Sequence, residues 1–339
     1  MTYRIGITNE AIEPDGSSVH GDLALDQLEA AGIEWEIIDA HPHDDSDLAG
    51  LDAVYALGHR TFDAKVLAAA PGLRHVARFG AGYDTIDLEA CSDAGVLVTN
   101  TPDAIRRPLA LAAVTLVLAV THNLVQKHRI TVEDRWEDRG RWRGVDTDGA
   151  TVAIVGFGSV GAEAARMLLA IGHRVVGVNR RGRSDEADVL GVPMLPMADA
   201  LAAADVVVLC ASLNPSTRGM IGAAELAQMK STAALVNVGR GGLVDQKALT
   251  AALMDGTIRA AGLDVFDPEP PAPDDPLLSL DNVTLSPHAL CWTDDYTQAV
   301  VTQANESLIA VADGRVPPRV LNPRALEHER WAKAAAAAG

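Results

Sequence analysis

One segment constrains the fold of this chain more than any other. Five strand-forming residues, Thr151-Val152-Ala153-Ile154-Val155, run into Gly156-Phe157-Gly158-Ser159-Val160-Gly161, and a helical pattern follows over 162–171. In a G-x-G-x-x-G turn between strand and helix, the first glycine makes the tight turn and the second lets a pyrophosphate approach the backbone. The third lets helix and strand pack closely, and the phosphates sit on the helix N-terminus. The glycine spacing alone is a weak signal. The strand before it and the helix after it are the context that makes it a dinucleotide site. Gly156, Gly158, Ser159, Val160 and Gly161 are therefore candidate cofactor-binding residues.

The rest of the chain has the same alternating texture. Apolar runs at 4–8, 34–38, 53–57, 76–79 and 96–99 read as strands, with a helix over 21–31 and a long apolar helix over 109–125. Beyond the glycine turn, runs at 174–178, 206–209, 234–237, 262–265 and 283–285 alternate with helical stretches. Strands alternating with helices predict an α/β protein with doubly wound, largely parallel sheets. The Ala-rich tail after Pro323 has no evident part in a core. The longest apolar run, 109–120, falls short of the roughly 20 residues that span a membrane.

Charge and cysteines narrow the function classes. The 339 residues carry 28 Lys plus Arg against 46 Asp plus Glu, a formal charge of −18. That argues against nucleic acid or an anionic membrane as the partner, since both need a basic footprint. Cys91, Cys210 and Cys291 match neither a disulfide framework nor a zinc pattern, and the opening residues read as a strand without a signal-peptide core. A cytoplasmic globular protein of two domains is expected. No metal site is expected: His41-Pro42-His43-Asp44-Asp45 lacks a second ligand cluster and reads as a loop cap.

The end of the second strand after the glycine turn bears on the cofactor. An acidic residue about 20 residues beyond the turn would hold the ribose 2′-hydroxyl of NAD. This chain has Asn179, followed by Arg180, Arg181 and Arg183. A carboxylate there would repel a 2′-phosphate, whereas guanidinium groups pair with it. NADP(H) is favoured, with NAD(H) the alternative, and a solvated basic turn the bland reading.

Three ionisable residues follow short apolar runs downstream. They are Arg240 in Val236-Asn237-Val238-Gly239-Arg240-Gly241, Glu269 in Asp267-Pro268-Glu269-Pro270, and His288 in Ser286-Pro287-His288. Loops at these positions are where an open α/β sheet gathers its site. Singly, each residue is most simply a solvated loop residue. Together, a fixed cation, a carboxylate and an imidazole beside a dinucleotide fold point to hydride chemistry on a carbonyl acid.

These residues carry a resemblance. The run Asn237-Val238-Gly239-Arg240-Gly241-Gly242-Leu243-Val244-Asp245 resembles the signature of the D-isomer-specific 2-hydroxyacid dehydrogenases. So do Gly262-Leu263-Asp264-Val265-Phe266 leading to Glu269-Pro270, and Ser286-Pro287-His288. Arg78-Phe79-Gly80-Ala81-Gly82-Tyr83-Asp84-Thr85-Ile86-Asp87 is similar to the family's substrate-domain loop, and Leu213-Asn214-Pro215-Ser216-Thr217-Arg218-Gly219 to its cofactor-side loop. The resemblance runs from about Asp52 to Pro323, with five motifs in order.

The resemblance implies two Rossmann-like doubly wound domains, with a cofactor domain at 102–286 inserted into a substrate domain made of 1–101 and 287–339. It implies that Arg240 pairs with the substrate carboxylate and polarises the C2 carbonyl. His288 would exchange a proton with the carbonyl oxygen, and Glu269 would orient His288 and raise its pKa. By the same resemblance, the amides of Ala81 and Gly82 bind the substrate carboxylate and Asp264 holds the nicotinamide carboxamide. Cys210, Thr217 and Val238 would line the cofactor beside Asn179, Arg180 and Arg181. A homodimer through the cofactor domain, using the helix near 109–120, is also implied.

The chain departs from the family pattern in places that bear on substrate. Leu111 replaces a usual glutamate, Arg106-Arg107-Pro108 replaces small or acidic residues, and Ala289-Leu290-Cys291-Trp292 replaces small ones. Trp292 and His59-Arg60 are candidates for reshaping the substrate pocket, with packing as the equal alternative for Trp292. Arg106 and Arg107 read first as surface charges. Glu269 disfavours the formate-oxidising branch, which has Gln there, and Ala81 the phosphite-oxidising branch, which has Lys.

The leading expectation is an NADP(H)-linked reductase of a small anionic 2-oxo acid of the glyoxylate or hydroxypyruvate kind. The alternative is an NAD-linked enzyme for a phosphorylated acid such as 3-phosphoglycerate, recognised through Arg106, Arg107 or Arg60. A nicotinamide-sensing, corepressor-like binding protein is disfavoured by the presence of Arg240, Glu269 and His288 together.

Overall fold

Parallel strands covered on both faces read as unbroken apolar runs, because every residue, whichever face it points to, meets other side chains. Eleven parallel strands, most of them of this kind, organise this chain among the residues described, 2–12 and 17–332, in a computed structural model. The chain divides into two units, Met1–Ile105 with Trp292–Gly339, and Arg106–Cys291.

The first unit holds β1 (Tyr3–Thr8), β2 (Ile33–Ile38), β3 (Ala53–Ala56), β4 (His75–Arg78) and β5 (Leu97–Thr99) in a parallel sheet of order β2-β1-β3-β4-β5. Alternate side chains serve opposite faces. Tyr55 joins Ile5, Ile7 and Phe79 against Val300, Val301 and Leu308 of the helix Asp294–Ala312, while its neighbour Val54 packs with Val76, Val98, Val66 and Cys91. The edge strand β2 is exposed over its four central residues, and Glu36 there pairs with Arg4 at 2.7 Å.

The C-terminal segment corrects the expectation that nothing after Pro323 serves a core. Trp331 is fully buried with Leu97, Val311 and Ala325, and its indole N–H donates to the Gly95 carbonyl at 2.8 Å. Just before it, Asn322 accepts from the Val98 amide at 2.8 Å and donates to the Val96 carbonyl at 2.9 Å. The Ala-rich residues 333–339 lie outside the described residues.

The second unit holds β6 (Thr151–Val155), β7 (Arg174–Val178), β8 (Val206–Leu209), β9 (Ala234–Asn237), β10 (Ala260–Leu263) and β11 (Val283–Leu285), all parallel, in the order β11-β10-β9-β8-β6-β7. One strand lies two residues before its expected place, because β10 pairs with β9 from Ala260 onward. The apolar helix runs Pro102–His122 rather than 109–125. Asn123 ends it in the left-handed region at φ 50° and donates to the Arg143 carbonyl; asparagine is among the few residues that tolerate this conformation. By length and composition this helix could cross a membrane. Here Ala110, Ala113, Leu116, Val117 and Val120 pack on Val152, Val206 and Val236, so its apolarity serves the sheet.

The strand order reverses between β6 and β8. Ligands of open α/β sheets bind beyond the carboxyl ends of the strands at such a point. The Val155 carbonyl accepts from the Cys210 amide at 2.8 Å there, which sets the glycine turn and Cys210 side by side.

Candidate active site

The turn at the carboxyl end of β6 uses its three glycines differently. Gly156 adopts φ +93°, and a side chain on it would strike the backbone of Ala211. A side chain on Gly161 would meet the Gly156 carbonyl oxygen at 2.8 Å and Ile154 at 3.0 Å, so glycine there closes the helix onto the strand. Around Gly158, by contrast, nothing lies within 4 Å of where a Cβ would stand. Open space beside the N-terminus of the helix Ser159–Ala170 suits a phosphate, with unsatisfied helical amides and the helix dipole directed at it.

The loop after β7 shows what Asn179 does. Its side chain donates to the Arg183 carbonyl at 2.9 Å and accepts from the Arg181 amide at 3.0 Å, so it folds the turn. Arg180, Arg181 and Arg183 are exposed, and among the described residues no hydrogen bond or ion pair engages their guanidinium groups. Thr217 is committed within its own loop, donating to the Ser212 carbonyl at 2.7 Å and accepting from the Asn214 amide at 2.9 Å. Val238 is buried in the core, and burial pushes the Cys210 thiol up to about 12, so neither side chain offers a charge to a ligand.

Arg240, Glu269 and His288 all lie in the second unit, on the loops after β9, β10 and β11. Asn237 braces the first loop: its side chain accepts from the Gly239 amide at 3.0 Å and donates to the Arg240 carbonyl at 2.9 Å. The Arg240 guanidinium donates to the Gly239 carbonyl at 2.9 Å. Glu269 Oε1 accepts from the Phe266 amide at 2.8 Å, and Oε2 meets His288 Nδ1 at 2.8 Å. A carboxylate anchored on one oxygen and hydrogen-bonded to Nδ1 through the other fixes the imidazole ring and turns Nε2 away from the pair. An imidazole held in this way through Nδ1 is chemically able to exchange a proton through its other nitrogen.

Asp264 has a structural task that spacing did not reveal. It is 1% exposed, and its Oδ1 accepts from the Ala289 and Leu290 amides, both at 3.2 Å. These are the two residues after His288, which itself takes φ +55°. Burial pushes the Asp264 carboxyl up, against the pull of the Ser286 hydroxyl, the two amides and His288. Asn237 was legible in principle, since Asn two residues before Gly is an Asx-turn signal. The reach from Asp264 to the His288 loop follows from the β10–β11 pairing.

In the first unit, the carbonyls of Ala81 and Gly82 are held by Asn100 Nδ2 and Arg78 Nε, each at 2.9 Å. Among the described residues, the Ala81 and Gly82 amides have no protein acceptor. Arg78 also donates to the Ala56 and Phe79 carbonyls, so it braces this loop. Arg60 is no receptor for a second anion: it is 3% exposed and gripped by Asp47 at 2.7 Å, Asp45 at 3.3 Å and the Asp39 carbonyl at 2.7 Å. Arg107 pairs with Glu163 at 2.9 Å, and Arg106 is exposed. Cys291 is buried and its thiol is pushed up to about 12, as suits a structural cysteine.

A dinucleotide turn at the switch point of one sheet, with an anchored Glu–His pair and an arginine on its loops, defines a nicotinamide-dependent oxidoreductase. Residues 114–289 match the family described as D-isomer specific 2-hydroxyacid dehydrogenase, NAD binding domain. A glyoxylate reductase of Korarchaeum cryptofilum is 38% identical over 329 residues, covering 95% of this chain and 96% of that protein. A D-3-phosphoglycerate dehydrogenase of Methanocaldococcus jannaschii is 36% identical over 79% of this chain but only 51% of its own length. Among solved structures, an NADPH-dependent glyoxylate/hydroxypyruvate reductase of Sinorhizobium meliloti, in complex with NADP and malonate, superposes with a TM-score of 0.82. It is 29% identical, with 95% of this chain and 97% of that chain covered. The chain belongs to the D-isomer-specific 2-hydroxyacid dehydrogenase family. It is an NAD(P)-dependent enzyme that moves a hydride between the cofactor and C2 of a 2-hydroxy or 2-oxo acid.

Proposed function

We propose that this enzyme works as an NADPH-linked reductase of small 2-oxo acids of the glyoxylate or hydroxypyruvate kind. The observation that carries the cofactor choice is the loop after β7, where Asn179 closes the turn and Arg180, Arg181 and Arg183 stand exposed. No carboxylate occupies the place that would hold a ribose 2′-hydroxyl, and three fork-shaped cations suit a 2′-phosphate. The Sinorhizobium reductase binds NADP, and the Korarchaeum relative is a glyoxylate reductase, which supports both halves of the reading.

In this reading the second unit is the cofactor domain, and the first carries the substrate loop. The Ala81 and Gly82 amides hold the substrate carboxylate, and Arg240 pairs with it and polarises the C2 carbonyl. The bound reduced nicotinamide supplies the hydride to C2. His288 Nε2 gives the proton to the carbonyl oxygen, and Glu269 holds the ring in the donating orientation. Asp264 orients the nicotinamide carboxamide from the same buried position in which it ties down the His288 loop. The enzyme acts in the cytoplasm as a homodimer through the cofactor domain, where Leu111, Leu124 and Trp136 are exposed. With Arg60 locked by aspartates and Arg107 paired with Glu163, the phosphorylated-acid alternative keeps only Arg106 of its three candidate cations.

Initial rates followed at 340 nm test the reading, with NADPH and NADH each run against glyoxylate, hydroxypyruvate and 3-phosphohydroxypyruvate. NADPH should exceed NADH in kcat/KM by about tenfold or more, the scale of one well-made charged contact. Equal or better turnover with NADH refutes the cofactor assignment. A preference for 3-phosphohydroxypyruvate refutes the substrate assignment.

A further inference from the structure

One aromatic group in the first unit takes no part in the chemistry above. The His20 ring lies on Phe79 with centroids 4.5 Å apart and planes 29° from parallel, and Trp292 meets the same imidazole edge-on at 4.5 Å and 66°. Phe79 is buried, whereas Trp292 keeps 40% of its surface exposed. His20 Nδ1 is buried with no hydrogen-bond partner among the described residues. Burial, reinforced by Arg78, pushes the His20 imidazole down to about 4, so the ring between the two aromatics is neutral at neutral pH.

Chain connectivity sets this group beside the carboxylate-binding loop. Phe79 is followed directly by Gly80, Ala81 and Gly82, and two residues of chain reach at most about 7 Å. Three arginines precede that loop closely in sequence, and each has other partners: Arg78 the Ala56, Phe79 and Gly82 carbonyls, Arg74 the Trp331 ring at 5.1 Å, and Arg60 the Asp45 and Asp47 carboxylates. A carboxylate bound at Ala81 and Gly82 would thus have a rigid, uncharged aromatic surface for a neighbour. Such a surface needs little ordering when an apolar group settles on it.

We propose that Trp292, supported by His20 and Phe79, is the specificity-determining residue for the substrate side chain. It favours 2-oxo acids whose substituent beyond C2 is an uncharged apolar chain or ring, and disfavours those with a second carboxylate or a phosphate. The proposal rests on the reductase reading and extends its substrates from the glyoxylate kind to longer 2-oxo acids with an apolar chain. It adds a residue that touches the side chain to those that touch the carboxylate and the carbonyl.

The test is kcat/KM with NADPH for glyoxylate, 2-oxohexanoate, oxaloacetate and 3-phosphohydroxypyruvate, in wild type, Trp292→Ala and Trp292→Phe. Wild type should prefer 2-oxohexanoate to both doubly anionic acids. In Trp292→Ala the ratio of 2-oxohexanoate to glyoxylate should fall by about tenfold or more, through KM, since one or two methylenes of apolar contact are worth that much. Trp292→Phe should restore most of the ratio, and NADPH binding followed by fluorescence should not change. If Trp292→Ala does not fold, Trp292→Gln removes the apolar face at similar reach and is read in the same way. An unchanged or increased ratio, or a wild-type preference for a doubly anionic acid, overturns this proposal alone. A folded wild type that reduces none of the four acids refutes the reductase reading, and this proposal with it.

Discussion

Replacing Asp264 separates two things that a buried carboxylate can do for a catalytic loop. In Asp264→Ala the Ala289 and Leu290 amides lose their shared acceptor at a position 1% exposed. A buried donor left unsatisfied costs about 1–3 kcal/mol. Two donors, with some relief from entering water, bring the loss to about 2–4 kcal/mol. For a unit of this size each kcal/mol moves the melting temperature by about 2–4 °C, so Tm should drop by roughly 4–16 °C. The released loop carries His288 off its Glu269 partner, and a displacement near 1 Å costs on the order of 100-fold in kcat.

Asp264→Asn keeps a side-chain carbonyl for the two amides, and the rotating Ser286 hydroxyl can accept from its amide group. That variant should stay within about 1 kcal/mol of wild type. The pH dependence has a definite sign. Burial raises the Asp264 carboxyl in the folded protein, so its contribution is fully present below the unfolded pKa and is lost as pH rises through the folded value. The stability of wild type relative to Asp264→Asn should therefore decline with rising pH over that interval. Thermal unfolding by circular dichroism across pH, together with kcat, measures all of this. Wild-type Tm and kcat in Asp264→Ala, or equal damage in both variants, would refute the acceptor argument.

Two further substitutions probe the glycine turn and the C-terminal segment. Gly158→Ala adds a methyl where nothing lies within 4 Å, so the apo-protein Tm should hold while NADPH affinity, by fluorescence titration, falls by about tenfold or more. Trp331→Ala empties a fully buried site and breaks the bond to the Gly95 carbonyl, and should cost about 3–5 kcal/mol in denaturant unfolding.

Much of the second unit was readable in the chain for a physical reason. Strands β6, β7, β8, β9 and β11 coincide with the apolar runs, because a parallel strand covered on both faces announces itself residue by residue. The glycine turn was readable because each glycine answers a local steric demand. Arg240, Glu269 and His288 were different. Their loops carry no periodicity, and loop position and residue chemistry grouped them before the resemblance gave them roles, whereas the 2.8 Å contact between Glu269 and His288 depends on the β10–β11 pairing. Arg60 looked like an available cation because Asp45 and Asp47 reach it through folding rather than through spacing. Trp331 looked idle for the same reason, since its partner Gly95 lies 236 residues away in sequence.

The central claim is that His288, held by Glu269, delivers the proton that accompanies hydride transfer to C2. Turnover of glyoxylate with NADPH in His288→Ala, measured beside NADPH binding in the same preparation, tests it most directly. The account predicts intact cofactor binding and a kcat lower by about 100- to 10,000-fold, the range for loss of a general acid. A kcat equal to wild type would contradict it.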